Sequence, residues 1–205
     1  MRVTVSFAAG IAVVFAVAFA MGRLSAQEAK PSCVMCKATY IRASELAAYE
    51  AASRANNVID QQMRSVDVGK TKLQLALVHR GKLDAPAPRS VAEHDLVTEV
   101  YYILSGSGTN RTSPDIVDAQ RRPADDRAVR TLNGPGSNGT DMRGAETQEL
   151  KAGDVLVIPA GTGHQFMKID NEITYLMVRV DPDKIVPLMD EAASRAYLEQ
   201  QLPKK

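Results

Sequence analysis

Residues 153–168 read GDVLVIPAGTGHQFMK. Val155 to Ile158 form an unbroken apolar run, Pro159 and Gly161 break it, and a new short run opens at His164. That pattern is a strand, a tight turn and a second strand, with proline and glycine supplying the turn. The turn delivers a histidine at the head of the second strand. Phe166 follows two residues later, so strand alternation puts His164 and Phe166 on one face, with Phe166 as an apolar wall.

Outward from this stretch, more β segments follow the same logic. EVYYILSG (99–106) precedes it and closes on Gly106-Ser107-Gly108, and ITYLMVRV (173–180) follows it. LQLALVHR (73–80) alternates, with Leu73, Leu75, Leu77 and His79 on one face and Gln74, Ala76, Val78 and Arg80 on the other. The leucine face is read as the inner one. Short strands punctuated by Gly and Pro indicate an all-β antiparallel sandwich or barrel. Residues 109–150 carry Pro114, Pro123, Pro135 and several glycines, and are expected to form a long, partly mobile loop, a candidate lid.

Helices are expected on both sides of the strands. Residues 40–57 are Ala-rich with Leu46, Tyr49 and Ala52 at helical spacing, Ser44 as a capping residue and Asn56-Asn57 as a stop. Leu188 to Leu202 reads as a second helix, between Pro187 and Pro203. The chain therefore divides into a leader (1–26), a CxxC segment with an Ala-rich helix (27–69), a barrel (70–182) and a C-terminal helix (183–205).

The leader reads apolar from Val3 to Met21, with Arg2 before it and Arg23-Leu24-Ser25-Ala26 after it. This is the layout of a secretory signal peptide cleaved after Ala26, or of an N-terminal anchor if it is retained. Either way the body is expected to be periplasmic or secreted, touching a membrane only if the leader stays. The whole chain of 205 residues has 25 Lys+Arg against 24 Asp+Glu, a formal charge of +1. Arg2 and Arg23 are the only charged residues of the leader, so the remainder sits near −1 and nucleic acid is excluded as a partner. Cys33-Val34-Met35-Cys36 can be a redox dithiol, half of a metal site or a small disulfide. A single CxxC cannot build a four-cysteine zinc site within one chain.

Chemistry concentrates on His94, Glu99 and His164. Two imidazoles and a carboxylate on neighbouring strands supply two nitrogens and one oxygen, leaving positions open for water, substrate or oxygen. Such a set suits Fe, Mn, Ni or Zn as the divalent ion. In sequence these residues resemble the cupins, whose motifs are G-x5-H-x-H-x3/4-E-x6-G and G-x5-P-x-G-x2-H-x3-N. EHDLVTEVYYILSG places His94, Glu99 and Gly106 on the first motif. The second runs without a gap from Gly153 through His164. The resemblance spans about residues 70–182 and implies a double-stranded β-helix (jelly-roll) barrel with a metal near one end of its interior. Ala92 replaces the first histidine, Pro86 the leading glycine and Lys168 the final asparagine, which reduces four ligands to three.

His79 is a candidate fourth ligand or supporting residue, against the alternative of a hydrogen-bonded core histidine. Tyr101 shares the inner face with Glu99 and is a candidate acid, base or hydrogen-bond donor. Arg179 either points inward to clamp a substrate carboxylate or pairs with an acid at the surface. Two functions remain open: a metal-dependent enzyme acting on a small molecule, and a barrel that binds a small-molecule ligand or a partner without metal. Pairing into a homodimer is also expected.

Overall fold

A computed structural model describes residues 30–187 and 189–201 of the chain. The leader, residues 1–26, lies outside the described residues. None of the described helices is long and apolar enough to cross a membrane. The chain separates into two units, Met1–Val34 and Met35–Lys205. The described part of the first, residues 30–34, contains neither helix nor strand. Cys33 and Cys36 are both disulfide-bonded.

The second unit opens with α1 (Ala43–Asn56), capped by the backbone of Arg42; Ser44, the expected cap, lies inside it. Asn57 ends the helix in the left-handed conformation (φ 56°), its N–H turned back onto the carbonyls of Arg54 and Ser53. Asparagine tolerates that conformation, so the helix stops where the sequence asks it to. Four strands follow: β1 (Asp60–Asp67), β2 (Lys72–Arg80), β3 (Val91–His94) and the long β4 (Thr98–Ser113). Next come β5 (Ile116–Val117), β6 (Gln120–Arg121), a π-helical turn at Val129–Asn133, β7 (Gly136–Gly139) and β8 (Asp141–Met142). β9 (Glu146–Lys151), β10 (Val155–Ile158), β11 (Gly163–Lys168), β12 (Ile173–Asp181) and α2 (Glu191–Gln201) complete the fold.

β4 belongs to both walls of the barrel. Its first half pairs with β12 and β10, and β12 continues through β2 to β1. Its second half pairs with β9 and β11, and β11 leads through β3 and β7 to β6. All these pairings are antiparallel. The strand changes wall at Gly106, φ +75°, where an added Cβ would lie 1.9 Å from the Glu172 carbonyl oxygen. Only glycine fits so close a backbone approach at positive φ, which explains why this strand ends its first half on a glycine.

Between the walls lies an aliphatic and aromatic core that includes Val78, Tyr101, Ile103, Phe166, Tyr175 and Met177. A second cluster sits on the outside of the first wall, where Tyr49 of α1 meets Met63 and Leu77, with Leu75, Leu176 and Leu198 against them. The Tyr49 hydroxyl is bonded to Ser194 of α2, which ties both helices to β1.

Two expectations change. The wall begins at Asp60, before the expected boundary at residue 70, because β1 is its edge strand. The segment expected to be a loop, 109–150, is largely built structure. Residues 109–113 extend β4 and 146–150 form most of β9, while β7 pairs along the whole of β3. Its prolines and glycines shape short strands against the second wall rather than a free lid.

Candidate metal centre and its cavity

His94 ends β3, His164 lies near the start of β11, and both belong to the second wall. Glu99 comes from the first half of β4, in the opposite wall. The interior thus brings a carboxylate from one wall against two imidazoles from the other. The turn at Pro159–Thr162 holds them in step: the Gly161 N–H donates to the His94 carbonyl at 2.8 Å, so the second motif is hydrogen-bonded to the first. His94 Nε2 stands 3.4 Å from Glu99 Oε1, and His164 Nε2 stands 3.5 Å from Glu99 Oε2. One ligand atom from each of the three residues lies within 4.8 Å of the others, and all three residues are buried.

Electrostatics set the protonation states. Burial, only partly offset by the Glu99 charge, drives His94 down to about 3. His164 is lowered for the same reason. Burial alone would raise Glu99, but the His94 ring, the Arg179 guanidinium, the His164 ring and the Tyr101 hydroxyl together hold it below the usual carboxylate range. Near neutral pH the cluster therefore offers two neutral imidazoles and a carboxylate, the forms that ligate a metal. Tyr101 donates to Glu99 Oε2 at 2.8 Å. Burial and the Glu99 charge push its phenol well above 10.0, which keeps the hydroxyl protonated in its bond to Glu99.

Arg179 is the residue whose placement the sequence left open, and it points inward. It stands directly opposite Glu99 in the β12–β4 register, donates from Nε to Glu99 Oε1 at 3.0 Å, and pairs with Asp60 through its terminal nitrogens. Both acids hold it, so it is a structural ion pair of the barrel floor and not a free clamp. His79 is a correction. It lies on the outer face of β2, bonded to Thr174 Oγ1 at 3.0 Å and to Arg54 Nη1 at 3.1 Å, away from the cluster. The expected faces of β2 are inverted because α1 and α2 bury the leucine face from outside. Gln74, Ala76, Val78 and Arg80 face the interior instead.

Sequence reasoning also missed two residues from the segment 109–150. Arg122 Nη2 lies 3.0 Å from His94 Nδ1, and Asn133 Nδ2 lies 2.8 Å from His94 Nε2. The Asn133 Oδ1 is buried without a hydrogen-bond partner. Nothing in the local sequence marks either residue; the pairing of β6 with β7 and of β7 with β3 brings them in. Ala92 sits opposite His164 in the β11–β3 register, so the replaced histidine would have stood at this cluster.

Beside the cluster is a cavity of about 200 Å³, lined by Arg80, Ser90, Ala92, Tyr101, His164 and Phe166 among others. Phe166 is the apolar wall the alternation required.

The sequence profile of the AraC-like ligand binding domain matches residues 138–204. That span contains the second motif and its turn, here seen to close a two-walled antiparallel barrel around the cluster. Solved structures similar to this chain include a cupin protein from Bacteroides fragilis, at 23% identity over 56% of this chain and 70% of that chain, TM-score 0.33. A protein from Bacillus halodurans is 13% identical over 79% of this chain and 97% of that one, TM-score 0.40. A conserved protein with a double-stranded β-helix domain from Klebsiella pneumoniae is 15% identical over 62% and 78%, TM-score 0.33. No curated protein matches the chain.

Proposed function

We propose that this cupin barrel binds a small molecule in the cavity beside a divalent transition metal held by His94, Glu99 and His164. The convergence of the three ligand atoms within 4.8 Å carries the reading. The donor set fits Fe, Mn, Ni or Zn: two neutral imidazoles and one carboxylate. When bound, such an ion acts as a Lewis acid toward a ligand oxygen. The chain's own residues do the rest. Tyr101 and Arg179 fix both Glu99 oxygens, and Phe166 and Ala92 limit what enters beside His164. The description of the matching profile as a ligand binding domain supports the small-molecule part.

Isothermal titration of chelator-treated protein with Mn²⁺, Fe²⁺, Ni²⁺ and Zn²⁺ tests this. One ion per chain is expected, lost in the His94→Ala/His164→Ala double variant and unchanged in His79→Ala. Binding that survives the double variant, or no stoichiometric binding at all, sinks the metal reading.

A second reading, a ligand-binding barrel without metal, has an observation of its own. Arg122 donates toward His94 Nδ1, the nitrogen that must carry the hydrogen when Nε2 holds a metal. Ligand-induced stabilisation that persists in the same double variant would favour it.

We also propose that the chain is exported, to the periplasm or beyond. The apolar leader and the disulfide-bonded state of Cys33 and Cys36 support an oxidising compartment. Pairing with a second copy is supported by Tyr102, Leu104, Val155 and Val157, exposed apolar residues of the neighbouring strands β4 and β10.

A further inference from the structure

Arg80 ends β2 on the inner face and reaches the cavity beside the His164–Glu99 cluster. Its Nε donates to the Tyr175 hydroxyl at 3.2 Å, and its guanidinium carbon lies 5.4 Å from the centre of the Phe166 ring. These two contacts fix the plane of the guanidinium. Its terminal nitrogens make no hydrogen bond or ion pair among the described residues. No carboxylate lines the cavity, and the acids nearest the floor, Glu99 and Asp60, are already bonded to Arg179.

A guanidinium oriented by two aromatic side chains, facing a cavity with no counter-ion, is a fork for an anion. Arg80 is partly buried where it meets the cavity, and a charge partly withdrawn from water gains from pairing. The interior supplies no acid paired with Arg80, while Arg179 has two. The other groups around the space narrow the ligand. Phe166, Leu83 and Ala92 are apolar, and Ser90 Oγ receives the Gln165 amide at 2.8 Å. At about 200 Å³ the cavity is smaller than the roughly 300–1,000 Å³ of pockets for drug-sized ligands. Arg80 and His164 line the same cavity, so a small ligand anchored at Arg80 reaches the cluster.

We infer that the cavity takes a small carboxylate with an apolar or aromatic body, its carboxylate on Arg80 and its body against Phe166. The inference rests on the small-molecule reading of the cavity but not on metal. It also assigns the anion-clamp role, expected at one reading of Arg179, to Arg80 on the neighbouring strand.

The test is titration calorimetry on chelator-treated protein with acetate, pyruvate and benzoate, with benzamide as the uncharged match of benzoate. Saturable binding of at least one carboxylate is expected, with benzoate preferred to benzamide by about tenfold or more. Arg80→Met weakens that carboxylate by about ten- to a hundredfold, as expected when a charged hydrogen-bond partner is lost. Arg80→Lys keeps the charge, recovers part of the affinity, and guards against a variant that fails to fold, as does a melting curve for each protein. If none of the three carboxylates binds the parent, or Arg80→Met binds as the parent does, the inference is overturned. Repeating the titration with Mn²⁺ separates the two proposals. Carboxylate binding without metal binding overturns only the metal reading, and metal binding without carboxylate binding overturns only this one.

Discussion

The two faces of the first wall differ in what covers them, and neighbouring residues on β2 show the consequence. Arg80 faces inward and lines a cavity with no acid in it, whereas His79 faces outward and is paired with Thr174 and Arg54. Inside, the wall carries ions: Glu99 and Arg179 stand opposite each other and are both buried. Outside, it carries leucine and methionine where helices cover it, and bare valine and tyrosine where they do not. The apolar face of this sheet is therefore partly its outer one. Burial depends on what packs against a face and not on which side of the barrel it lies.

The largest effect that can break this contrast is Glu99→Ala. It leaves Arg179 buried with Asp60 alone and strips the Tyr101 hydroxyl of its acceptor. A loss of about 3–5 kcal/mol is expected in urea denaturation of the metal-free protein, the usual result of breaking a buried ion pair from one side. A loss under about 1 kcal/mol would mean that Asp60 is sufficient, and that the inner face is less ionic in its energetics than in its geometry.

Leu77→Ala probes the covered outer face. The side chain is 1% exposed between Tyr49 and Met63. Its truncation is expected to cost about 2–3 kcal/mol, within the range for buried leucines, without changing carboxylate binding inside. A stability loss accompanied by lost ligand affinity would show that the two faces are coupled through the wall.

Val157→Lys probes the bare part. With Val157 56% exposed, stability should move by no more than about 0.5 kcal/mol. The expected change is in light scattering, from a dimer in the parent to a monomer in the variant. A parent that is already monomeric ends the pairing proposal and leaves the bare patch as ordinary surface.

Much of the site is legible in the order of residues along the chain. The spacing Gly153-x5-Pro159-x-Gly161-x2-His164 dictates a strand, a turn and a histidine at a strand head, because proline and glycine restrict the backbone locally. Alternation then assigns Tyr101 to the face of Glu99 and Phe166 to the face of His164, since the period of a strand is a local property. What stays hidden is non-local. Arg122 and Asn133 reach His94 from a segment whose composition suggests a mobile loop, and the pairing of β6 with β7 and of β7 with β3 puts them there.

The sequence by itself determined where the strands turn, which residues share a face, and that two imidazoles and one carboxylate stand close in strand order. Tertiary structure alone decided which face of β2 is the interior. Leu75 and Leu77 look like core in any strand, but α1 and α2 supply an apolar layer outside the barrel and satisfy them there. The inner face was then free to carry Arg80 into the cavity and, on β12, Arg179 onto Glu99. A hydrophobic pattern specifies that a face is buried, while the identity of the partner that buries it is settled only when the distant parts of the chain meet.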